Sequence, residues 1–210
     1  MNAREALGRL RALRVPAVTT SDAAAVLGVT IEAASQTLRR LAASGLVTPV
    51  RRALWALADR PDPLALAEYV TAPYPSYVSL QTALYRHGLI EQVPAMIYLA
   101  SLSRGARVVT GLGTYSVHHV SPELFGGFVR DPATGIKLAG PEKALIDFLY
   151  LSPTRGRLFA ALPELTVPRG FKRSVANAWV SRISSPRMRS IVAQKLAAHL
   201  GRPSPRHPPT

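Results

Sequence analysis

Between Ser35 and Arg52 the chain gathers side chains whose chemistry matches nucleic acid. Ser35, Gln36, Thr37, Arg39 and Arg40 crowd one short stretch, and Arg51 and Arg52 follow as a basic pair. A glutamine amide or an arginine fork can read a base edge through two hydrogen bonds. Serine, threonine and arginine also bond phosphate oxygens. In "TIEAASQTLRRLAASGLV", residues 30–47, Ile31, Ala34, Leu38 and Leu41 recur at i, i+3, i+7 and i+10. That rhythm is one buried side of a helix, with Gln36, Thr37 and Arg40 opposite and Ser35 and Arg39 at the flanks. Gln36 and Arg40 are the expected base readers, and Arg51 and Arg52 the expected backbone contacts.

Other chemistry is scattered. The chain has no G-x-x-x-x-G-K-[ST] loop, no H-E-x-x-H and no G-x-S-x-G elbow. His118 and His119 are neighbours in an expected strand, so they leave opposite faces and do not chelate one metal together. Glu123, Glu142 and Asp147 have no spacing that forces one cleft. Lys143 and Asp147 fit an i, i+4 pair, and helix capping and surface pairing are the expected roles of Glu142 and Asp147. His87 falls in the last turn of a helix and reads as a capping or core residue. With no cysteine there is neither a disulfide framework nor a thiolate site. No catalytic residue, metal ligand or cofactor is expected.

The elements that must hold the polar stretch are legible around it. A first helix over 4–14 breaks at Pro16. An Ala-rich helix follows, capped by Thr20 or Ser21 and ended by Gly28. The polar helix comes next and stops at Gly45, and "LVTPVRRALWAL" reads as two strands about an Arg51-Arg52 turn. Three helices and a ribbon in this order predict a winged helix-turn-helix over residues 1–58. Residues 59–76 carry four prolines and read as a junction.

A second unit is expected over 77–200. Ser79 caps a helix closed by Gly88. Short β-branched and aromatic runs over 95–139 predict a small, mostly antiparallel sheet. "GPEKALIDFLYLS" is a strongly apolar helix with Pro141 at its first position. Two further helices hide Val175, Trp179 and Ile183, then Met188, Ile191, Val192 and Leu196. Residues 201–210 are Pro-rich and expected to be disordered. The fold class is α+β.

Charge is uneven across these parts. Residues 1–58 carry +5, residues 59–150 carry −1, and residues 151–210 carry +10. Two basic ends around a neutral middle point to polyanion-facing surfaces. At the C-terminal end, Arg169, Lys172, Arg173, Arg182 and Arg187 form the expected basic surface, a docking face for an acidic partner or a second DNA contact. No apolar run approaches the ~20 residues of a membrane span, and a cytoplasmic location is expected.

Two separated segments carry a resemblance. "YVSLQTALYRHGLIEQVP" contains Ser79, Leu80, Ala83, Leu84, Gly88, Leu89 and Ile90. "GPEKALIDFLYL" contains Pro141, Glu142, Lys143, Ala144, Leu145 and Asp147. In that order, behind a winged-helix pattern, they resemble the AbiEi family of antitoxins and related transcriptional regulators over nearly the whole chain. The resemblance implies a bacterial type IV toxin–antitoxin locus. In it the N-terminal domain binds promoter repeats and represses the operon, and the C-terminal half supplies most of the antidote activity against a nucleotidyltransferase-type toxin. The family also holds members without an obvious toxin. Three readings stand: a double-stranded-DNA-binding antitoxin and autorepressor, a stand-alone regulator that senses a ligand, and a DNA-processing enzyme.

Overall fold

Local signals at each helix end explain where the N-terminal elements begin and stop. The structure, a computed structural model, describes residues 2–152 and 164–201; the expected tail beyond Gly201 lies outside the described residues. Helix α1 (Ala3–Arg11) opens on Asn2, whose side chain accepts from the Glu5 amide. Helix α2 (Thr20–Leu27) is capped by Thr19, one residue before the expected position. Asp22 is the reason: Thr19 and Asp22 form a reciprocal capping box that Thr20 or Ser21 lacks a partner to build. Gly28 ends α2 at φ +68°, a conformation costly for a residue with a Cβ. Thr30 then caps α3 (Ile31–Ala43).

Strands β2 (Thr48–Arg51) and β3 (Leu54–Ala56) form the expected ribbon, and a third strand joins them. Just after Pro16, β1 (Ala17–Thr19) pairs antiparallel with β3, giving the order β1-β3-β2. The helices close over Leu7, Leu10, Leu27, Ala34, Leu38 and Leu41. Ile31 does not join them. It is 56 % exposed, because it stands one turn before the buried Ala34–Leu38–Leu41 side and faces the ribbon instead.

The proline-rich junction is folded. Asp62 accepts from the Leu64 amide at 2.8 Å and starts a 3₁₀ turn (Pro63–Leu66), which runs into α4 (Ala67–Thr71). Leu66, fully buried, packs with Ala17, Val50, Leu54 and Ala56 of the three-stranded sheet. Tyr69 and Leu112 pack against the same cluster.

The larger sheet has six strands, more than the expected small one, and is mixed: three of its five pairings are antiparallel, as expected, and two are parallel. These are β4 (Ser76–Val78), β5 (Ile97–Ser101), β6 (Ala106–Thr110), β7 (Gly113–His119), β8 (Phe128–Arg130) and β9 (Lys137–Ala139), in the order β6-β7-β5-β4-β9-β8. The two hairpins, β6–β7 and β8–β9, are antiparallel as their short turns demand. Their return strands dock parallel to β5 and β4, one on each side of the β4–β5 pair.

Both faces of this sheet are covered, which is the usual condition for parallel pairing. Helices α5 (Leu80–Arg86), α6 (Pro141–Leu151), α7 (Arg173–Ser181) and α8 (Pro186–Leu200) close one face around Tyr77, Leu84, Leu145 and Phe148. Helix α4 covers the other through Ala67 and Val70 against Val78, Leu99 and Tyr115. In α6 every residue from Glu142 to Leu149 is buried, so this helix is the centre of the layer. Helix α7 turns inward on Ala176 and Val180, and Ile183 just beyond it is also buried, with Trp179 half-buried and Val175 exposed. The expected Val175–Trp179–Ile183 stripe is therefore rotated by about one residue. In α8 Val192, Leu196 and Leu200 are buried, while Met188 and Ile191 are only partly covered. Among the described residues, no helix is long and apolar enough to cross a membrane.

Candidate nucleic-acid interface

Helix α3 and the β2–β3 hairpin enclose a groove of about 780 Å³. Ser35, Gln36 and Arg39 line it from the helix, and Arg51 and Arg52 from the hairpin. The hairpin is set by two local features. The register slips between Pro49 and Arg51, and Ala53 turns the chain at φ +60° directly after Arg52. Trp55 then locks β3 to α2, its indole Nε1 donating to Thr20 Oγ1 at 3.0 Å. Both arginines are exposed; Arg51 also donates from Nη2 to the Tyr69 carbonyl at 3.4 Å.

Five of the seven expected DNA contacts are thus gathered around one groove. Thr37 and Arg40 are not among its lining. The Thr37 hydroxyl donates to the Ala33 carbonyl at 2.9 Å, so it is satisfied within its own helix. Arg40, at roughly 100° per residue from Arg39, lies further round the exposed side, where its Nε donates to the Gln36 carbonyl at 3.4 Å. Glu32, not among the expected contacts, also stands in the groove beside Ser35 and Gln36. Its place in the first turn favours the helix. Its carboxylate repels phosphates but can accept from a cytosine amine. The i, i+3, i+4, i+7 spacing of Glu32, Ser35, Gln36 and Arg39 was the signal available.

The expected C-terminal basic surface divides. Arg173 donates from Nη2 to the Leu200 carbonyl at 2.5 Å and so caps the end of α8. The Arg182 guanidinium lies over the Trp179 ring at 4.3 Å. Arg169, Lys172 and Arg187 are exposed.

A buried polar cluster sits between the sheet and α6. Lys143 and Asp147 form the expected i, i+4 ion pair, yet each is only 1 % exposed, which corrects the reading of Asp147 as a surface pairing residue. Asp147 also accepts from Tyr77 Oη at 3.0 Å and from Ser79 Oγ at 2.7 Å. Ser79 therefore precedes α5 without capping it through its side chain. The Lys143 ammonium lies 4.8 Å from the Trp179 ring centroid. Burial, and then the adjacent Asp147 carboxylate, push Tyr77 well above its ordinary pKa, so it stays protonated and donates. Glu142, also buried, accepts from the Lys172 amide at 2.7 Å and ties α7 to α6.

The remaining titratable groups stand apart. His87 Nε2 lies 2.7 Å from the Ala139 carbonyl, which makes it the protonated nitrogen. His118 is buried against Ser116 Oγ and stacks on Tyr98, while His119 is exposed near the Ser103 carbonyl. None of these lines the α3 groove. Among the described residues, no group of three or more His, Cys, Asp or Glu could hold a metal ion. No protein-family model matches the chain, and no curated protein matches it either.

Proposed function

We propose that the chain is a double-stranded-DNA-binding regulator whose residues 1–58 act as a winged helix-turn-helix. Helix α3 enters the major groove, and the β2–β3 hairpin rides on the adjacent backbone. One observation carries this reading: Ser35, Gln36 and Arg39 share a groove with Arg51 and Arg52, so base-reading and phosphate-binding groups face the same volume. The groove favours Arg39 beside Gln36 as a base reader, with Arg40 further out on the backbone side. The order α1-β1-α2-α3-β2-β3 and the three-stranded sheet agree with it.

Within this reading the chain is an antitoxin and autorepressor of a toxin–antitoxin operon, a role supported by the resemblance of its two motifs. Those motifs meet in space, since Ser79 of the first bonds Asp147 of the second. Their matched polar residues, Ser79, Glu142, Lys143 and Asp147, are buried, so antidote activity falls to exposed groups such as Arg169, Lys172 and Arg187. The decisive measurement is fluorescence anisotropy of the chain with DNA from its own promoter and with a scrambled duplex, at about 0.15 M salt. Tighter promoter binding by tenfold or more supports the regulator; equal affinity for both duplexes overturns it.

A further inference from the structure

A cavity of about 310 Å³ opens where the junction meets the N-terminal sheet and the β8–β9 hairpin. Its size is at the lower end of small-molecule sites. Pro16, Leu64, Ala65, Ala72 and Ile136 give it apolar walls. Its charged lining is Glu68, Arg130 and Lys137. Lys137 already bonds Glu68 at 2.7 Å, and the pair neutralises itself. Arg130 is exposed, and its guanidinium lies 3.7 Å from where a Cβ on Gly135 would stand, at the turn of the hairpin. The Tyr69 phenol feels the same charge: burial and Glu68 raise its pKa, and Arg130 opposes them.

An apolar chamber edged by one surplus cation selects a particular chemistry. We propose that this cavity binds a small organic monocarboxylate, its carboxylate on Arg130 and its apolar body against Leu64, Ala65 and Ile136. A bidentate arginine–carboxylate pair supplies orientation, and burial of the hydrocarbon supplies most of the affinity. A free phosphate or sulfate would leave the apolar walls empty, and a neutral hydrocarbon would leave Arg130 unused. The site stands whether or not the chain binds DNA.

The experiment follows backbone amide shifts of the full chain titrated with phenylacetate, 3-methylbutanoate and hexanoate, each beside its uncharged amide. At least one acid gives saturable shifts at Ala65, Thr134 and Ile136, and its amide binds about tenfold more weakly. Arg130→Gln brings the acid down to the level of the amide. Ala65→Phe, which fills the chamber, removes binding of both, while the amide shifts of α3 certify that the fold is kept. Three results overturn the proposal: no saturable shift from any acid through about 10 mM, equal binding of acid and amide, or undiminished binding in Ala65→Phe.

Discussion

Replacing Lys143 with methionine removes the countercharge of a carboxylate that has no access to water. Asp147 is 1 % exposed, and after the change it keeps the Tyr77 and Ser79 hydroxyls as its side-chain donors among the described residues. Breaking one side of a buried ion pair costs about 3–5 kcal/mol, because the surviving charge is stranded. Methionine itself fits: it has nearly the length of the lysine stem, and its sulfur can lie against the Trp179 ring that the ammonium now faces. The loss is therefore electrostatic. Adding Asp147→Asn removes the stranded charge but leaves a side-chain carbonyl to accept from Tyr77 and Ser79. The double variant should then stand within about 1–2 kcal/mol of the parent, a coupling of about 2 kcal/mol or more between the two sites. Urea unfolding followed by tryptophan fluorescence reads this, since one of the two tryptophans, Trp179, packs on the cluster. If Lys143→Met costs under about 1 kcal/mol, or the double variant is no more stable than the single one, the pair is not the buried electrostatic unit described above.

Other outcomes follow from the same geometry. Gly127→Ala should destabilise by about 2 kcal/mol or more, because the residue sits at φ +70° and its Cβ would lie 2.6 Å from Trp179 Cζ2. Gly8→Ala, inside α1 with nothing within 4 Å of the new Cβ, should instead stabilise by about 0.5–1 kcal/mol; thermal melts distinguish the signs. Asp131 accepts from the Thr134 and Ala133 amides, and these bonds hold its carboxyl below the usual aspartate range. A lowered folded pKa means that its support of the β8–β9 turn is complete above the ordinary value and is lost as pH falls through the lowered one. The Ala133 and Thr134 amide signals should therefore move at a lower pH than the titration of an ordinary aspartate would give. On promoter DNA, Gln36→Ala should cost about 1–3 kcal/mol with little effect on a scrambled duplex. Arg51→Ala and Arg52→Ala should weaken both duplexes and flatten the salt slope by about 0.9 each.

Much of the N-terminal half was readable because its signals are local. Gly28 and Gly45 mark turns that need a left-handed residue, and both have positive φ. The helix carrying Ser35, Gln36 and Arg39, followed by the Arg51-Arg52 ribbon, is spelled in consecutive residues. What escaped depends on distant partners. The i, i+4 spacing announced the Lys143–Asp147 pair but not its burial, since Tyr77 and Ser79 reach Asp147 across 70 and 68 residues. Strands β1 and β4 have three residues each, too few for an alternation to register. All three residues of β4 are buried, so it has no polar side to alternate with. Periodicity alone turns Ile31 and Val175 inward, because it gives the width of an apolar stripe but not the helix that will press on it.

The apolar seam of Leu66 and Leu112 against Ala17, Val50, Leu54 and Ala56 has a mechanical consequence. It joins the N-terminal unit to the six-stranded sheet, reinforced by the Gly111 amide donating to the Val50 carbonyl at 3.3 Å and by Tyr115 Oη donating to the Pro63 carbonyl at 2.7 Å. A head on a loose tether tolerates many distances between paired sites, because the tether merely sets a local concentration. If the N-terminal unit binds DNA as proposed, a head packed directly on its body acts as a caliper. Two copies joined through their sheet halves would span one fixed interval along a duplex. Inserting about five base pairs, half a helical turn, between two recognition sites would then put the second head on the wrong side of the double helix.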